Sequence, residues 1–397
     1  MLAPPNAHFF ITPRFHRANA QGQAVIDPAT LEHVGTRAEV SCAEIETALA
    51  EVTAAQAQWK AIDAKSRARV LHALAHRIET TDLSSCAILM SREMGKPYPE
   101  EIGELANCAL VESEQTHAVA FTGSVAAARA VAAAAAQRMK PAVIEAGGSD
   151  PMIISAHAPL DVAAAGAVTG AFHMSGQVCT STKRIYVVDA VHDAFVSTFA
   201  AQTARLRIGN GHETSEIGPL VSEAARAKVM RLVGDAVAKG ARVVCGGRIP
   251  PGQLVGWFFE PTILTGCTAE MDLLHEECFG PVAAIIRVPD FEAAIAAAND
   301  SDFGLGALVF TTALDEAHEA HERREAGMVW INNPMIDNDA LPFGGWKNSG
   351  LGRELGRMGL DSFRRSKMVL LDHKPARQDW YPYPDAWFLA AGGRKPG

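Results

Sequence analysis

The sequence lacks the features that mark membrane-spanning, secreted and nucleic-acid-binding proteins. No apolar run approaches the roughly eighteen residues of a membrane helix, and the start, M-L-A-P-P-N-A-H-F-F-I-T-P-R-F, has no basic stretch followed by an apolar core. Basic residues are not in excess, because 36 Lys and Arg stand against 45 Asp and Glu, a formal net charge of -9. We therefore expect no nucleic-acid partner, which would need a basic face, no membrane, and a cytoplasmic location.

Paired cysteines and metal-binding motifs are also missing. The 7 cysteines are odd in number, widely spaced and without a C-x-x-C pair, which argues against a disulfide framework and a zinc site. His318 and His321 in H-E-A-H-E are three positions apart, whereas the helical zinc motif needs four. We expect reduced thiols and no metal site.

The chain does have the composition of a large α/β protein. With 397 residues, 48% hydrophobic and 20% charged, it is long enough for two domains. Apolar residues at helical spacing dominate the first part, and strands alternate with helices after about residue 118. The predicted helices cover 43–60, 65–92, 100–111, an Ala-rich stretch to about 136, 161–174, 190–205, 221–239, 290–299 and 313–325; the predicted strands cover 118–121, 152–155, 184–189, 242–245, 258–264, 282–287, 307–311 and 327–332.

The stretch F-H-M-S-G-Q-V-C-T-S-T-K-R at 172–184 places Cys179 in an unusual setting for a core cysteine. A Gly-Gln pair that permits a turn precedes the thiol, and small hydroxyl residues follow it. A thiolate is a strong nucleophile when a base or a positive environment assists it, so Cys179 is a candidate nucleophile. The alternative is a buried, inert cysteine, which is the commoner role of a free thiol.

Glu145 ends the apolar run V-I-E and is followed by Ala-Gly-Gly. A carboxylate at the end of a buried strand, beside glycines that let the backbone approach a ligand, is a candidate general base. A simple turn residue is the alternative.

A short strand leads into Thr122-Gly123-Ser124 and then into the Ala-rich helix. Strand, glycine, hydroxyl cap and helix together offer backbone N–H groups and a positive helix end to a phosphate. An ordinary capped connection has the same pattern, so Gly123 and Ser124 are candidates only.

Five motifs in order resemble those of the aldehyde dehydrogenase superfamily, and the resemblance runs from about Ile26 to about Leu371. The motifs are V-A-F-T-G-S at 119–124, E-A-G-G at 145–148, G-Q-V-C at 176–179, E-E-C-F-G-P at 276–281 and P-F-G-G-W-K-N-S-G at 342–350.

The resemblance implies NAD or NADP as cofactor. Gly123 and Ser124 correspond to the family's contacts to the dinucleotide pyrophosphate, Glu277 to the contact with the nicotinamide-side ribose, and Phe279 to the contact with the nicotinamide ring. Without the other motifs, Glu277 and Phe279 would be read as a charged turn before a buried aromatic residue.

The implied reaction is oxidation of an aldehyde to a carboxylate. By resemblance, Cys179 attacks the aldehyde, its backbone N–H meets the oxyanion, and Glu145 activates the water that hydrolyses the thioester. The contexts G-S-D-P at 148–151 and Q-V-C-T-S-T-K-R suggest the branch that handles small polar aldehydes such as succinate semialdehyde.

The expected fold is α/β and aldehyde dehydrogenase-like. It consists of a truncated Rossmann-type cofactor domain at 1–148, a complete α/β catalytic domain at 149–344, a return segment at 345–365, and an oligomerisation strand with a C-terminal tail at 366–397. In the family the strand corresponding to Lys367–Leu371 pairs with a neighbouring subunit.

The chain departs from the family in its first domain. Only the residues 112–117 separate the third predicted helix from the next strand. The family has further strands and helices there, about 80–110 residues at ordinary element lengths. That block carries an asparagine that is a second oxyanion donor, a Lys-Pro segment that holds the adenosine ribose, and a ribbon that pairs with a neighbouring subunit. Smaller departures are Ala128, where a methyl group could crowd the cofactor, and Met174.

Three hypotheses remain open from the sequence. The chain is a dehydrogenase for a small-molecule aldehyde, with activity impaired by the missing block and a homo-oligomer weakened by loss of the ribbon. Alternatively, it is a defective relative with at most cysteine-dependent esterase activity. In the third hypothesis it is a non-catalytic fragment that associates with full-length homologues, because missing strands leave an apolar surface open.

Overall fold

The computed structural model of the chain describes residues 22–38, 42–82, 84–95, 114–212, 214–252, 255–334, 338–375 and 386. The chain divides into two units, Met1–Phe363 and Arg364–Gly397. The finer division at residues 148, 344 and 365 stays a prediction, and the helix predicted at 100–111 lies outside the described residues. Across the described ranges, no helix has the length and apolar character that crossing a membrane requires.

The first described element is a β-hairpin that the sequence did not predict. Strands β1 (Gly22–Ile26) and β2 (His33–Ala38) pair antiparallel. The buried Asp27 shapes the connection, since its carboxylate accepts from the amides of Ala29 at 2.8 Å and Thr30 at 3.2 Å. An Asx turn of this kind joins strands that carry little apolar alternation.

Three helices follow: α1 (Cys42–Ala61), α2 (Ala64–Thr80) and α3 (Ser84–Met94). The prediction of one helix over 65–92 is wrong, because the chain is extended at Thr81. Asp82 then accepts from the Ser84 amide at 2.9 Å. The apolar periodicity runs through this break, which hides it in the sequence. One face of α2 is open to solvent, with Val70, Leu71, Leu74 and Ile78 between 53% and 58% exposed.

A three-stranded sheet carries the first of the predicted motifs. Strands β3 (Val119–Gly123) and β4 (Ala142–Ala146) are parallel and are joined by helix α4 (Val125–Gln137), and the short strand β14 (Gly350–Leu351) pairs antiparallel with β4. The side chain of Ala128 is 4% exposed and packs in the apolar cluster between helix and sheet. This packing speaks against the expected crowding of a cofactor by its methyl group.

A seven-stranded sheet forms the centre of the described chain, with strand order β12-β11-β5-β6-β9-β8-β7. Its pairs are parallel except for β7 with β8. Its strands are β5 (Asp150–Ile154), β6 (Thr182–Val188), β7 (Arg242–Cys245), β8 (Thr262–Thr265), β9 (Val282–Val288), β11 (Gly306–Phe310) and β12 (Met328–Ile331); two further short strands, β10 (Phe303–Gly304) and β13 (Trp346–Lys347), pair with each other. The predicted strands of this region are confirmed, although 258–264 begins only at Thr262.

Helices cover the large sheet, and apolar side chains fill both of its faces. The helices are α5 (Leu160–Phe172), α6 (His192–Thr203), α7 (Glu223–Ala238), α8 (Phe291–Asn299) and α9 (Leu314–Arg323), followed by the short α10 (Gly356–Ser362). Along β5, Met152 and Ile154 belong to one core cluster and Ile153 to another. This burial on both faces is typical of a parallel sheet and explains the near-continuous apolar runs of its strands.

In the second unit, residues Lys367–Leu371 are not in a strand, and the predicted pairing of this segment with a neighbouring subunit stays a prediction. Their exposure is as expected, since Met368, Val369, Leu370 and Leu371 are 75% to 91% exposed. A strand requires a hydrogen-bonding neighbour, and the predicted neighbour of this segment is a second subunit.

Candidate active site

Cys179 lies between helix α5 and strand β6, just after a 3-10 turn at His173–Gly176. Met174, Ser175 and Gly176 all have left-handed backbone angles, with φ of 50°, 57° and 69°. For a non-glycine residue this conformation costs about 1–3 kcal/mol, so the surroundings must hold the turn. The thiol is partly exposed, as a nucleophile that meets a substrate must be.

Two polar side chains anchor this turn to the chain that precedes helix α7. The Ser175 hydroxyl donates to the Gly218 carbonyl at 3.0 Å. The side-chain amide of Gln177 donates to the Pro219 carbonyl at 3.3 Å and accepts from the Val221 amide at 2.9 Å. Tertiary contacts therefore fix the strained turn and, with it, the position of the thiol.

Glu145 lies in strand β4 with 3% of its surface exposed, and neither carboxylate oxygen has a hydrogen-bond partner among the described residues. Burial, reinforced by repulsion from Glu354 and opposed by Arg353, raises the pKa of Glu145 to about 8. The carboxyl faces the glycine-rich stretch, where a Cβ on Gly344 would lie 2.7 Å from its Oε1. A carboxyl with this pKa can hold and release a proton near neutral pH.

The two glycines after Ala146 bring the predicted site residues together. A Cβ on Gly148 would lie 2.4 Å from the backbone oxygen of Cys179, so the two backbones are in direct contact. The Gly148 amide donates to Glu277 Oε1 at 3.2 Å, and a Cβ on Gly147 would lie 2.3 Å from Oε2 of the same carboxylate. A side chain at either glycine would push these segments apart.

Glu277 is partly buried and Phe279 is exposed, whereas Cys278 between them is fully buried. Burial raises the pKa of the Glu277 carboxyl, and the hydrogen bond from Gly148 opposes this rise. The Phe279 side chain is 38% exposed, which does not fit the alternative of a charged turn before a buried aromatic residue. A half-buried carboxylate and an open aromatic ring thus lie in one loop.

Gly123 and Ser124 lie where strand β3 ends, and Gly123 is in register with Ala146 of strand β4. Ser124 caps helix α4, its hydroxyl accepting from the Ala127 amide at 3.4 Å. The predicted strand, glycine, cap and helix are confirmed. A Cβ at Gly123 would lie 2.7 Å from the ring of Phe121, so a side chain there would displace this ring.

Two buried side chains that support the site lie inside stretches singled out from the sequence, 172–184 and 342–350, but the sequence gives them no role. The Ser349 hydroxyl donates to the Gly147 carbonyl at 2.9 Å and accepts from the Gly304 amide at 3.0 Å. Lys183, 1% exposed, is the second residue of strand β6, and its ammonium donates to the Gly176 carbonyl at the end of the cysteine turn. A lysine at the head of a buried strand is the one hint that the sequence offers.

The profile of the aldehyde dehydrogenase family (Aldedh) matches residues 15–111 and 102–369. The chain belongs to the aldehyde dehydrogenase family. The two matched segments overlap at 102–111, next to the point where the sequence suggests a missing block. The deletion itself stays a prediction. The expected α/β fold of an aldehyde dehydrogenase is confirmed by the parallel sheet and by similarity to solved structures.

Individual relatives match over part of their length. An aldehyde dehydrogenase of Paenarthrobacter nicotinovorans is 45% identical over 261 residues, which cover 66% of this chain and 57% of that protein. A succinate-semialdehyde dehydrogenase (NADP(+)) of Deinococcus radiodurans is 44% identical over 252 residues, 63% of this chain and 52% of that protein. The crystal structure of an E. coli NADP dependent enzyme has a TM-score of 0.83 at 28% identity and covers 88% of this chain and 95% of its own. The chain spans little more than half the length of the two curated aldehyde dehydrogenases.

Proposed function

We propose that the chain oxidises an aldehyde to a carboxylate with NAD or NADP, with Cys179 as nucleophile and Glu145 as general base. The observation that carries this proposal is the convergence of the Cys179 backbone and the Glu277 carboxylate on the glycine pair that follows Glu145. Family membership supports the reaction type, and the names of the relatives support the cofactor.

The residues present fit the nicotinamide half of the cofactor better than its adenosine half. Glu277 offers a carboxylate that can accept from ribose hydroxyls, and Phe279 offers an open ring face. Ser124 at the start of helix α4 offers a helix N-terminus for the pyrophosphate, although the Phe121 ring lies against Gly123. For the adenosine half, the family's Lys-Pro segment belongs to the block that the sequence predicts to be missing.

The chemical steps that this chain supplies begin at sulfur. The Cys179 thiolate attacks the aldehyde carbon, a C–S bond forms, and the carbonyl oxygen becomes an oxyanion that the Cys179 backbone N–H stabilises. The thiohemiacetal becomes a thioester when its carbon loses a hydride, and NAD or NADP, when bound, would supply the acceptor for that hydride. A water then attacks the thioester carbon, the C–S bond breaks, and the sulfur leaves as thiolate.

Glu145 takes the proton from that water. Both of its oxygens are buried and unpartnered among the described residues, so a water can bind to either of them. With a pKa of about 8, the carboxyl is a stronger base than an exposed glutamate, and a sizeable fraction is ionised in mildly alkaline solution.

A second candidate function is cysteine-dependent ester hydrolysis in a relative that oxidises aldehydes poorly or not at all. The open apolar face of α2 favours it, because a face of this size is normally covered within a cofactor domain. Loss of the second oxyanion donor alone would lower the rate about 100- to 1,000-fold. The same face would let a non-catalytic chain associate with full-length homologues or with itself. Cytoplasmic location and oligomerisation also remain proposals.

The test is aldehyde-dependent reduction of NAD and NADP by the purified chain, followed by the absorbance of the reduced nicotinamide. Succinate semialdehyde is the first substrate to try, because the Deinococcus relative is named for it. The proposal predicts reduction that is lost in Cys179→Ser and kept in Cys245→Ser, a matched cysteine that is also partly buried. Ester hydrolysis without any cofactor reduction would favour the second candidate.

A further inference from the structure

Lys183 is the most unusual charged residue around the site. It stands in strand β6 of the seven-stranded sheet, and only 1% of its surface is exposed. Its Nζ donates to the backbone carbonyls of Gly176 and Gly280, both at 2.8 Å. Among the described residues no carboxylate lies within salt-bridge distance of this ammonium, and its hydrogen-bond partners there are neutral carbonyl oxygens.

The two carbonyls belong to the two loops that the proposed reaction must hold together. Gly176 ends the strained turn before Cys179, and Gly280 follows directly after Phe279. The loops touch without a gap, since a Cβ on Gly176 would lie 2.2 Å from the Gly280 oxygen. Two carbonyl oxygens turned towards one point repel each other, and a cation between them removes that repulsion.

Burying an ammonium without a paired carboxylate costs free energy, and the cost is visible at this residue. Burial lowers the pKa of Lys183 to about 8, and the nearby acidic groups of Cys278, Glu277 and Asp150 oppose this fall. An apolar side chain would avoid this cost. In return, the long cationic side chain donates hydrogen bonds to both loops at once, which an apolar side chain cannot do.

We propose that Lys183 is a positioning residue that fixes the loop of Glu277 and Phe279 against the cysteine turn, and so sets the position of Cys179 relative to the nicotinamide. The proposal rests on the function proposed above. It concerns the part of the reaction that needs both loops, which is transfer to the cofactor. Ester hydrolysis needs the cysteine loop and Glu145, but not the loop of Glu277 and Phe279.

Arg184 provides a matched control on the same strand. It is equally buried, at 1% exposure, and it donates to the Ser149 carbonyl at 2.9 Å and to the Tyr186 hydroxyl at 3.1 Å. It has no hydrogen bond to Gly176 or Gly280 among those described. Arg184→Met therefore removes a buried cation without releasing the two loops from each other.

The first test measures hydrogen exchange of backbone amides in Lys183→Met, Arg184→Met and the unchanged protein. We expect Lys183→Met to speed exchange at 174–181 and at 278–282 together by about tenfold or more, because both loops lose the same partner. Arg184→Met should leave these two segments unchanged relative to each other. Unchanged protection of either loop in Lys183→Met, or an even rise across the whole protein, would overturn the proposal.

The second test compares two activities per titrated thiol. Lys183→Met should lower aldehyde-dependent NADP reduction about 10- to 100-fold more than hydrolysis of p-nitrophenyl acetate, because misplacement affects only the step that needs both loops. A parallel fall in both activities would indicate a merely structural lysine and would contradict the proposal.

Two safeguards keep the tests decisive. If Lys183→Met does not fold, Lys183→Gln replaces it, because its shorter side chain cannot reach both carbonyl oxygens, and the same exchange pattern is expected. If the unchanged protein shows neither activity, the proposed function has failed, and hydrogen exchange alone decides whether Lys183 couples the loops.

Discussion

Gly148 and Cys179 are in backbone contact, and this contact joins the strand of the proposed base to the proposed nucleophile. A Cβ on Gly148 would lie 2.4 Å from the Cys179 carbonyl oxygen, while the Gly148 amide binds the Glu277 carboxylate. One residue thus fixes three parts of the site. Its lack of a side chain is a requirement of the geometry, since the neighbouring atom is backbone and cannot rotate away.

Gly148→Ala is expected to disrupt the site. The added methyl group forces the cysteine loop from strand β4, so both aldehyde oxidation and ester hydrolysis should fall about 100-fold, with a stability loss of about 1–3 kcal/mol. Gly234→Ala is the control, because a Cβ there meets nothing within 4 Å in helix α7. It should stabilise the protein by about 0.5–1 kcal/mol and leave activity unchanged. Equal activity of the two variants would contradict the account.

Glu145→Gln should change the pH dependence of stability in a defined direction. The folded-state pKa of Glu145 is raised to about 8, so stability from its protonated form is full below about pH 4.5 and is lost as pH rises through 8. Gln carries no such loss. Urea unfolding measures the free energy of unfolding at pH 6 and at pH 9. Between these pH values the unchanged protein should lose roughly 2–3 kcal/mol more than the variant. A constant difference at the two pH values would show that Glu145 is not buried in this way.

The same carboxyl predicts a catalytic pH profile. Water activation requires the ionised form, whose fraction rises with pH to a half-point at about 8. Hydrolysis of the acyl group from Cys179, measured after single-turnover acylation by p-nitrophenyl acetate, should follow this rise in the unchanged protein. Glu145→Gln should be slower by about 100-fold or more and should lose the rise, because general-base assistance is absent.

Ser349→Ala tests the support beneath the glycine pair. Removing the hydroxyl leaves the buried Gly304 amide and Gly147 carbonyl without this partner, at a cost of about 1–3 kcal/mol. Ser362→Ala is a control, because the Ser362 hydroxyl donates to the Met358 carbonyl in an exposed hydrogen bond, and the free energy of unfolding should stay within about 0.5 kcal/mol. Chemical denaturation measures both. Similar stabilities of the two variants would contradict the role given to Ser349.

Because one face of helix α2 is open to solvent, we expect a charged substitution on that face to leave the stability of the protein nearly unchanged. Leu74 is 53% exposed, so Leu74→Lys should change the free energy of unfolding by less than about 0.5 kcal/mol and should reduce self-association in sedimentation. Ile45, 3% exposed, is the buried comparison, and Ile45→Ala should cost about 2–5 kcal/mol. A loss at Leu74 as large as at Ile45 would show that this face is covered.

The fold could be predicted where local pattern and burial agree. Strands such as β5 and β9 are continuous apolar runs because both faces of the parallel sheet are covered. The start of helix α7 is predictable from its N-cap residue, Ser222. The hairpin of β1 and β2 and the break at Thr81 were not predicted. Each depends on a single Asp that accepts backbone hydrogen bonds, Asp27 or Asp82, within a sequence whose apolar pattern does not change there.

The site could be predicted only as far as its motifs extend. Glu145, Cys179 and Glu277 were singled out because each stands in a recognisable stretch. Lys183 and Ser349 act through partners distant in sequence, Gly280 and Gly147, so their roles arise only when the sheets assemble. Likewise, Lys367–Leu371 has the composition of a strand, but a strand also needs a partner, which composition does not supply.

Intact-mass spectrometry with peptide mapping of Glu145→Gln, after mixing with succinate semialdehyde and NADP, tests the roles of Cys179 and Glu145 together. We expect an acyl adduct to accumulate on Cys179, because the thioester forms and its hydrolysis is blocked, whereas the unchanged protein clears the adduct. An adduct on another cysteine, or no adduct in Glu145→Gln from a preparation whose unchanged form reduces NADP, would contradict the assignment of Cys179 and Glu145.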